Sequence, residues 1–395
     1  MTRGESGGAR TAAGGAGAPP VRQVVRLRAA RAAVGAFFFA SGAASATWAA
    51  RVPAVRDALA LTPGGLATAL TGLAAGAVAG LPLAGLLVSR WGSRRVLGAA
   101  VLYLSVLPVI AAAPRLWCLT GALFAFAVGN SIVDVAMNTQ GALAERAGSR
   151  PVMGGLHARL SLGGVVGAAA GGFAAMAGLA TAVHFLMIAL VLSTVCAVAA
   201  AFLLPDEPGA PQPRLGLPTR GLWIPGLITF CALMGEGMMN NWGSVYLRDV
   251  AGASPWIAAV GFAVFSAGMV TGRLAADRIR GRITPGAFLL GCAMLAVTGA
   301  LTAIGLPSRW TALTGYALIG LGLSAIVPVT FSRVALREPH EPGPAIAAVS
   351  TVGYLGFLAG PPIVGLLAEA AGLRAVMLIM LALMVTVICL AARLR

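Results

Sequence analysis

Residues 85–95 read GLLVSRWGSRR, and residues 272–278 read GRLAADR. Each stretch begins in the last residues of a long apolar segment and ends in arginine, and a second apolar segment follows soon after. Glycine allows helices to approach closely, and arginine collects on the cytoplasmic side of membrane helices. The two stretches therefore predict the same local structure twice: a membrane helix, a short basic turn and another membrane helix.

The composition of the whole chain supports a membrane location. Of 395 residues, 58% are hydrophobic and only 10% are charged, whereas soluble chains carry about 25% charged residues. A helix needs about 20 apolar residues to cross a bilayer. We predict an all-α integral membrane protein with twelve transmembrane helices, near 31–50, 65–88, 96–113, 116–140, 152–177, 180–204, 222–246, 255–276, 284–305, 310–332, 344–368 and 374–392.

The longest interior break, 205–221, is rich in proline and separates six apolar segments from six others. The two sets resemble each other: Gly163 precedes Gly356 by 193 residues, and Trp48 precedes Trp242 by 194. Duplicated six-helix halves are typical of transporters that bind substrate between the halves. We predict two pseudo-symmetric halves, with the domains 1–28 as a disordered cytoplasmic tail, 29–204 as the N-terminal half, 205–221 as a cytoplasmic linker and 222–395 as the C-terminal half.

The net charge of +16 arises from 28 arginines, since the chain has no lysine, against 12 acids. Twenty-one of the arginines fall on the side of the membrane that also holds the linker and both termini. The positive-inside rule makes that side cytoplasmic. We therefore predict a multi-pass protein of the plasma (inner) membrane with both termini in the cytoplasm. Because the arginines are spread over many loops, the charge indicates topology and not binding to nucleic acid.

The stretches at 85–95 and 272–278 resemble the loop signature of the major facilitator superfamily, which lies between helices two and three and again between helices eight and nine. The resemblance implies a charge network that breaks and reforms on the cytoplasmic side as the halves move. Ser89 stands where the family prefers aspartate, which weakens the first copy of the network. The cytoplasmic gate residues implied in this way are Gly85, Ser89, Arg90, Arg94, Gly272, Asp277 and Arg278.

Within the superfamily the chain is similar to the fucose-permease-like branch. The similarity rests on motifs such as WAARVP at 48–53, DVAMN at 134–138 and EGMMNNW at 236–242. In that branch an acid in helix four takes part in proton and sugar coupling, and Asp134 occupies its place. A second acid, in helix one, has no counterpart, because Ala49 stands near its position. This difference argues against fucose as the substrate.

Asp134 also stands out on physical grounds. A carboxylate at membrane depth costs about 2.5–3.5 kcal/mol to insert and must face a cavity or a partner. Asn130 and Asn138 lie four residues before and after it, so all three share one helical face. The pattern predicts a wet cavity that Asp134 enters as a proton-coupling group. An interhelical hydrogen-bond cluster is the alternative explanation.

Glu236 is the second acid deep in an apolar segment, and we predict that it too couples protons. Its neighbours Asn240, Asn241 and Trp242 suit a hydroxylated or planar substrate, because amides bond hydroxyl groups and an indole ring stacks on flat faces. Trp242 equally fits an aromatic belt at the membrane surface. We assign these three residues and Trp48 to the substrate pathway.

The fifth segment contributes His157, Arg159 and Ser161 to the predicted pathway. His157 and Asp134 lie at similar depths, about 10 Å from the cytoplasmic face at 1.5 Å per residue. Neighbouring antiparallel helices would bring them together as a proton relay; the alternative is that His157 caps a helix. Arg159 either pairs with Asp134 or extends to the interface.

The remaining features set limits on function. The five cysteines form no CxxC pair and indicate neither disulfides nor a metal site. A phosphate-binding GxxxxGK[ST] loop requires lysine, which the chain lacks, and this argues against ATP as the driving force. We predict no cofactor and no enzymatic activity. We expect a monomer in the bilayer that uses a proton gradient to move a small polar or amphipathic solute. A proton-driven exporter of drugs or secondary metabolites is the alternative, kept open by the glycines of segment 152–177.

Overall fold

The structure, a computed structural model, describes residues 21–148, 152–206, 219–280, 283–305, 308–337 and 342–394. Those residues are almost entirely helical and include no strand. The helices are α1 (Val21–Ala58), α2 (Pro63–Trp91), α3 (Ser93–Ala100), α4 (Val106–Ala111), α5 (Leu116–Gly148), α6 (Met153–Met176), α7 (Thr181–Ala200), α8 (Trp223–Asp249), α9 (Pro255–Arg280), α10 (Pro285–Gly305), α11 (Arg309–Leu323), α12 (Ile326–Arg337), α13 (Pro342–Ala371) and α14 (Ala375–Ala391).

These helices match the twelve predicted segments. In the described part of the chain, eleven helical stretches are long and apolar enough to cross a membrane, and Val376–Ala391 is a shorter apolar helix. The third stretch consists of α3, a 3₁₀ turn and α4 (93–111). The tenth consists of α11 and α12, which are separated at Ser324. The fold class predicted from the sequence is therefore confirmed.

The predicted domain limits meet the structure only in part. Helix α1 begins at Val21, inside the range that was predicted as a disordered tail, so the first helix is longer than its apolar core. The rest of that tail, 1–20, and most of the linker, 207–218, lie outside the described residues. A 3₁₀ turn at Arg220–Leu222 leads into α8. Helices α1–α7 thus form the N-terminal half, and α8–α14 form the C-terminal half.

Glycines at equivalent positions of the two halves pack in equivalent ways. A side chain at Gly163 of α6 would overlap the carbonyl of Phe39 in α1, and one at Gly356 of α13 would overlap the carbonyl of Phe230 in α8. Both pairs of helices thus approach to backbone contact, which only a residue without a Cβ permits. The 193-residue repeat therefore also appears as the same helix packing in each half.

The bundle has two ends, which we name by their connections. The linker end is where α7 ends and α8 begins, and the distal end is where α1 and α8 end. Across the interface between the halves, α6 packs against α9, α2 against α13, and α1 against α8 and α9. These interface helices carry the candidate site.

Buried polar residues hold the linker end of the N-terminal half together. The Gln140 side chain in α5 donates hydrogen bonds to the Ser93 hydroxyl at 2.9 Å and to the Leu204 carbonyl at 2.9 Å. The Asp206 carboxylate accepts from the backbone N–H groups of Ser93 and Arg94, the first of α3. A carboxylate at a helix N-terminus is favourable for the helix dipole. The first residues of the linker are thus attached to the turn after α2.

Candidate functional site

A cavity of about 340 Å³ lies between the two halves, at the crossing of the interface helices. The N-terminal half supplies walls from α1, α2, α5 and α6, and the C-terminal half supplies walls from α8, α9 and α13. Transporters built from two repeats bind substrate at such an interface. The polar residues that line the cavity are Ser41, Ser45, Asn130, Ser131, Asp134, Ser161, Glu236, Asn240, Asn241, Ser266 and Arg273.

Asp134 lines the wall of the N-terminal half and is fixed by its own helix. The Asn138 amide donates to one Asp134 carboxylate oxygen at 3.2 Å and to the Asp134 backbone carbonyl at 2.9 Å. Asn130, one turn to the other side, lines the cavity and accepts a hydrogen bond from Ser41 of α1 at 3.0 Å. The polar face of α5 therefore lines the cavity and also contributes a hydrogen bond to the neighbouring helix. Asn138 supports Asp134 and is not among the lining residues.

Glu236 and Asn240 line the facing wall, one turn apart on α8. The side-chain oxygen of Asn240 is buried and has no hydrogen-bond partner among the described residues. Asn241 accepts a hydrogen bond from the Trp48 indole of α1 at 3.3 Å and donates to the Gly237 carbonyl at 2.9 Å. Trp48, which was predicted to lie in the substrate pathway, lines the cavity and joins the two halves through this bond.

Tyr354 of α13 also lines the cavity and was not singled out from the sequence. Asp134 and Glu236, which come from different halves, line the same cavity as this aromatic side chain. Four phenylalanine rings also line the cavity: Phe126, Phe262, Phe265 and Phe357.

Arg273 is the main residue that sequence reasoning missed. It was counted as a basic loop residue, yet it lines the cavity from α9. Its guanidinium donates to the Ser161 hydroxyl of α6 at 2.7 Å, across the two halves, and lies 3.5 Å from the Ser324 carbonyl oxygen. Glu236 lines the same cavity. One signal in the sequence pointed to this role: Arg273 lies one helical turn deeper in the apolar segment than Asp277, where a charged residue is functional by default.

The structure does not bring His157 and Asp134 together. Helix α6 packs mainly against α1 and α9, whereas α5 packs mainly against α2, so helices that are adjacent in sequence are not the main packing partners. The His157 ring contacts the edge of Phe38 in α1 at a centroid distance of 5.1 Å, and His157 is not a lining residue. The prediction of a direct Asp134–His157 relay is wrong for this conformation.

Arg159 does not pair with Asp134 either. Its side chain is exposed and packs beside Gly35 of α1, where a Cβ would lie 2.6 Å from the Arg159 Cδ atom. The other alternative, that Arg159 extends to the membrane interface, stays a prediction. Among the three predicted residues of this segment, Ser161 alone reaches the cavity wall.

Trp242 is likewise outside the lining. Its side chain is fully buried, and its indole donates to the Pro361 carbonyl of α13 at 3.0 Å. Trp48, its repeat partner, instead bonds across the two halves. Trp242 therefore holds α8 to α13 within the C-terminal half. It neither lines the substrate cavity nor lies in a belt at the membrane surface.

The predicted gate residues are partly visible at the linker end. Ser89 donates to the Leu86 carbonyl of its own helix at 2.9 Å, and Arg90 and Arg94 are exposed. Gly272 packs against Leu321 and Ser324 at the separation of α11 from α12, as expected for close helix approach. Gly85 lies within α2, half-buried. The side chains of Asp277 and Arg278 lie outside those that the structure describes.

Charged contacts between the halves cluster at the distal end. Arg56 of α1 pairs with Asp249 of α8, while Arg248 of α8 pairs with Asp57 of α1. Arg248 also donates to the Pro53 carbonyl at 3.1 Å. The Glu369 carboxylate of α13 accepts from the first turn of α2, at the Gly64 N–H. These crossed contacts close the distal end of the interface.

Comparison with known proteins agrees with this architecture. The sequence model of the Major Facilitator Superfamily matches residues 33–336. An uncharacterised MFS-type transporter of Yersinia pestis is 34% identical over 341 residues, covering 85% of this chain and 88% of that protein. Membrane protein MosC of Rhizobium meliloti is 32% identical over 359 residues, covering 89% and 87%.

Solved structures share the fold at low sequence identity. A point mutant of the nucleoside transporter NupG aligns with a TM-score of 0.73 at 14% identity and covers 92% of this chain and 98% of its own. A bacterial homologue of the human lysosomal transporter Spinster aligns with a TM-score of 0.72 at 15% identity, covering 95% and 96%. Twelve apolar helical segments in two halves, a cavity between the halves and these matches lead to one conclusion: the chain is a membrane transporter that belongs to the Major Facilitator Superfamily.

Proposed function

We propose that the chain is a secondary active transporter that moves a small polar or amphipathic solute across the plasma membrane, coupled to protons. The observation that carries this proposal is the placement of Asp134 and Glu236 on facing walls of one cavity between the halves. Acids at membrane depth are costly and mark ion and substrate pathways. Each acid can carry a proton while the halves change their orientation.

The interface supports alternating access as the mechanism. The distal end is joined by ion pairs between α1 and α8, and the linker end is joined by the Arg273–Ser161 hydrogen bond. Contacts of this kind can break and reform without loss of the packing inside each half. We propose that the two ends open in turn, that Asp134 is the first coupling group and Glu236 the second, and that the protein works as a monomer.

Asp134→Asn tests the coupling. The amide cannot release a proton, so we expect uphill transport in proteoliposomes to stop while exchange of substrate at equal concentration continues. The matched control is Glu145→Gln on the same helix, because Glu145 accepts hydrogen bonds from Val152 and Met153 and is not a cavity residue. Undiminished uphill transport by the Asp134 variant would contradict the assignment.

Export of drugs or secondary metabolites is the second candidate. The aromatic part of the lining favours it, because rings accommodate amphipathic solutes. Import and export differ only in the direction of flux. Right-side-out and inside-out vesicles, given the same proton gradient relative to the protein, distinguish the two directions. An importer accumulates solute in right-side-out vesicles, and an exporter accumulates it in inside-out vesicles. The likeness to the fucose-permease-like branch stays a prediction.

The orientation is also a proposal: the linker end faces the cytoplasm, together with both termini. The arginine bias of the sequence supports it. An alkaline phosphatase fused to the C-terminus is expected to be inactive, because that enzyme requires export for activity. A fusion at the distal turn after Ala58 is the matched control and should be active. An active phosphatase at the C-terminus would contradict the proposed topology.

A further inference from the structure

We propose that the solute bound in this cavity carries a protonated amine on a small aromatic or apolar body. The proposal rests on the transport function proposed above and names the substrate class of the same site. It follows from three properties of the cavity: the balance of its charges, the hydrogen-bonding atoms that stay free, and the shape of its apolar walls.

The charges in the lining favour a cation. Two carboxylates, Asp134 and Glu236, face one guanidinium, that of Arg273. With both acids ionised, the lining carries one net negative charge. The guanidinium is directed to other partners, since it bonds Ser161 and lies near the Ser324 carbonyl. A substrate cation near Glu236 and Asp134 would balance the remaining charge, whereas an anion would add to it.

One acceptor of the lining is buried without a donor, since the Asn240 side-chain oxygen has no hydrogen-bond partner among the described residues. The Asp134 and Glu236 carboxylates line the same cavity and, when ionised, only accept hydrogen bonds. Two donors of the lining are already used, because the Trp48 indole bonds Asn241 and the Asn241 amide bonds Gly237. A buried acceptor without a donor costs free energy. An ammonium group offers three donors and no acceptor, so it satisfies this set on both walls.

The apolar walls define the rest of the solute. Aromatic rings, Tyr354 among them, line the same cavity as the two acids. An ammonium group is attracted to the face of an aromatic ring, and a flat apolar body packs against it. The volume of about 340 Å³ is near the lower limit of small-molecule sites, which span roughly 300–1,000 Å³. The site therefore suits a solute with a single ring and a short aminoalkyl chain.

A charge series on one scaffold tests the proposal. The probes are 2-phenylethylamine, 2-phenylethanol and phenylacetate, which share a ring and a two-carbon chain and differ in charge. Titration calorimetry on the purified full-length protein in lipid nanodiscs gives the three affinities. We expect the amine to bind roughly tenfold or more tightly than the alcohol, because the charge pair forms in a desolvated site. Phenylacetate should bind most weakly.

Two cavity variants and one control sharpen the result. Glu236→Gln and Asp134→Asn should each reduce the preference for amine over alcohol to about threefold or less, since each removes one of the acceptor charges. Glu145→Gln removes an acid outside the cavity and should leave the preference unchanged. Thermal unfolding of each variant, compared with the parent protein, shows that a loss of binding is not a loss of fold.

The outcomes separate this inference from the transport function. If the alcohol or the acid binds as tightly as the amine, or if no probe binds at millimolar concentration, the inference is wrong. If a neutral solute is driven uphill by protons while amines do not bind, the transport function stands and the inference fails. If the amine binds with the expected preference but no amine is moved in proteoliposomes, the inference stands and the transport function fails.

Discussion

The two ends of the interface between the halves are held together differently. At the distal end, two arginines and two aspartates form crossed pairs between α1 and α8, with Arg56 bonded to Asp249 and Arg248 to Asp57. At the linker end, one arginine of α9 bonds one serine of α6. The distal contacts lie outside the cavity, whereas Arg273 and Ser161 are part of its wall.

This difference has a consequence for how each end responds to the solute. Among the described residues, the distal pairs bond each other and nearby backbone, so their strength depends on solvent and salt and not directly on the cavity contents. The linker-end bond involves an arginine that lines the same cavity as Glu236. We therefore expect a proton or a cation arriving at Glu236 to change the electrostatic forces on Arg273 and, through it, the closure of the linker end.

The largest effect is expected from Arg273→Ala. A hydrogen bond to a charged group contributes about 1.5–3 kcal/mol, so its loss should favour opening of the linker end by roughly 10- to 100-fold. The measurement is the labelling rate of a single cysteine at Ser45, a lining residue, by a membrane-impermeant maleimide from the linker side in an otherwise cysteine-free protein.

Arg90→Ala is the matched control for that change. Arg90 is an arginine of the same end that the family resemblance placed in the gate, yet it is exposed and outside the lining. We expect less than a twofold change in labelling, because a solvent-exposed charge contributes little. Equal effects of the two variants would show that general charge at the linker end, and not the Arg273–Ser161 contact, controls opening.

A smaller effect in the opposite direction is expected from Arg248→Ala. This change removes the ion pairs to Asp57 and Asp249 and the bond to the Pro53 carbonyl. The pair to Asp249 lies within α8, so only the exposed pair to Asp57, about 0.2–1 kcal/mol, and the bond to Pro53 join the halves. Labelling at Ser45 from the distal side should therefore rise about threefold to tenfold. High salt should reproduce part of this rise in the parent protein.

Arg309→Ala serves as the control for the distal end. Arg309 stands at the start of α11 and lies over the Trp310 ring at 5.6 Å, and among the described residues it makes no bond between the halves. Labelling from the distal side should stay at the parental rate. A rise comparable to that of the Arg248 variant would mean that the crossed pairs are not what closes this end.

The smallest effect is expected from Glu369→Gln. The carboxylate of Glu369 accepts a hydrogen bond at the N-terminus of α2, in the other half, and a glutamine oxygen can still accept it. The substitution loses only the attraction between the carboxylate charge and the dipole of α2, which is about 0.3–1 kcal/mol. We therefore expect about a twofold rise in labelling from the distal side. Glu369→Ala, which removes the acceptor as well, should exceed it. An unchanged labelling rate in both variants would show that this contact does not help to close the distal end.

The sequence predicted much of the fold and part of the site, for reasons visible in single residues. Apolar length identifies membrane helices because an exposed peptide group is too costly in lipid. Asp134 and Glu236 were identified because a carboxylate at that depth must face a cavity or a partner, and both line the cavity. His157 and Trp242 were misplaced because depth along the chain does not say which helices are neighbours. The pair α1–α6 decides this for His157, and the pair α8–α13 decides it for Trp242.

What the sequence determined by itself is the set of membrane helices, the repeat that relates the halves and the two acids at membrane depth, because hydrophobic length and the cost of burying charge act on any helix regardless of its neighbours. Only the tertiary structure decided that Arg273 enters the cavity, that Trp48 joins the halves while Trp242 stays within one, and that α1 and α8 exchange crossed ion pairs. Those features depend on the direction in which each side chain leaves its helix and on the helix that it meets, which is a property of the packed bundle.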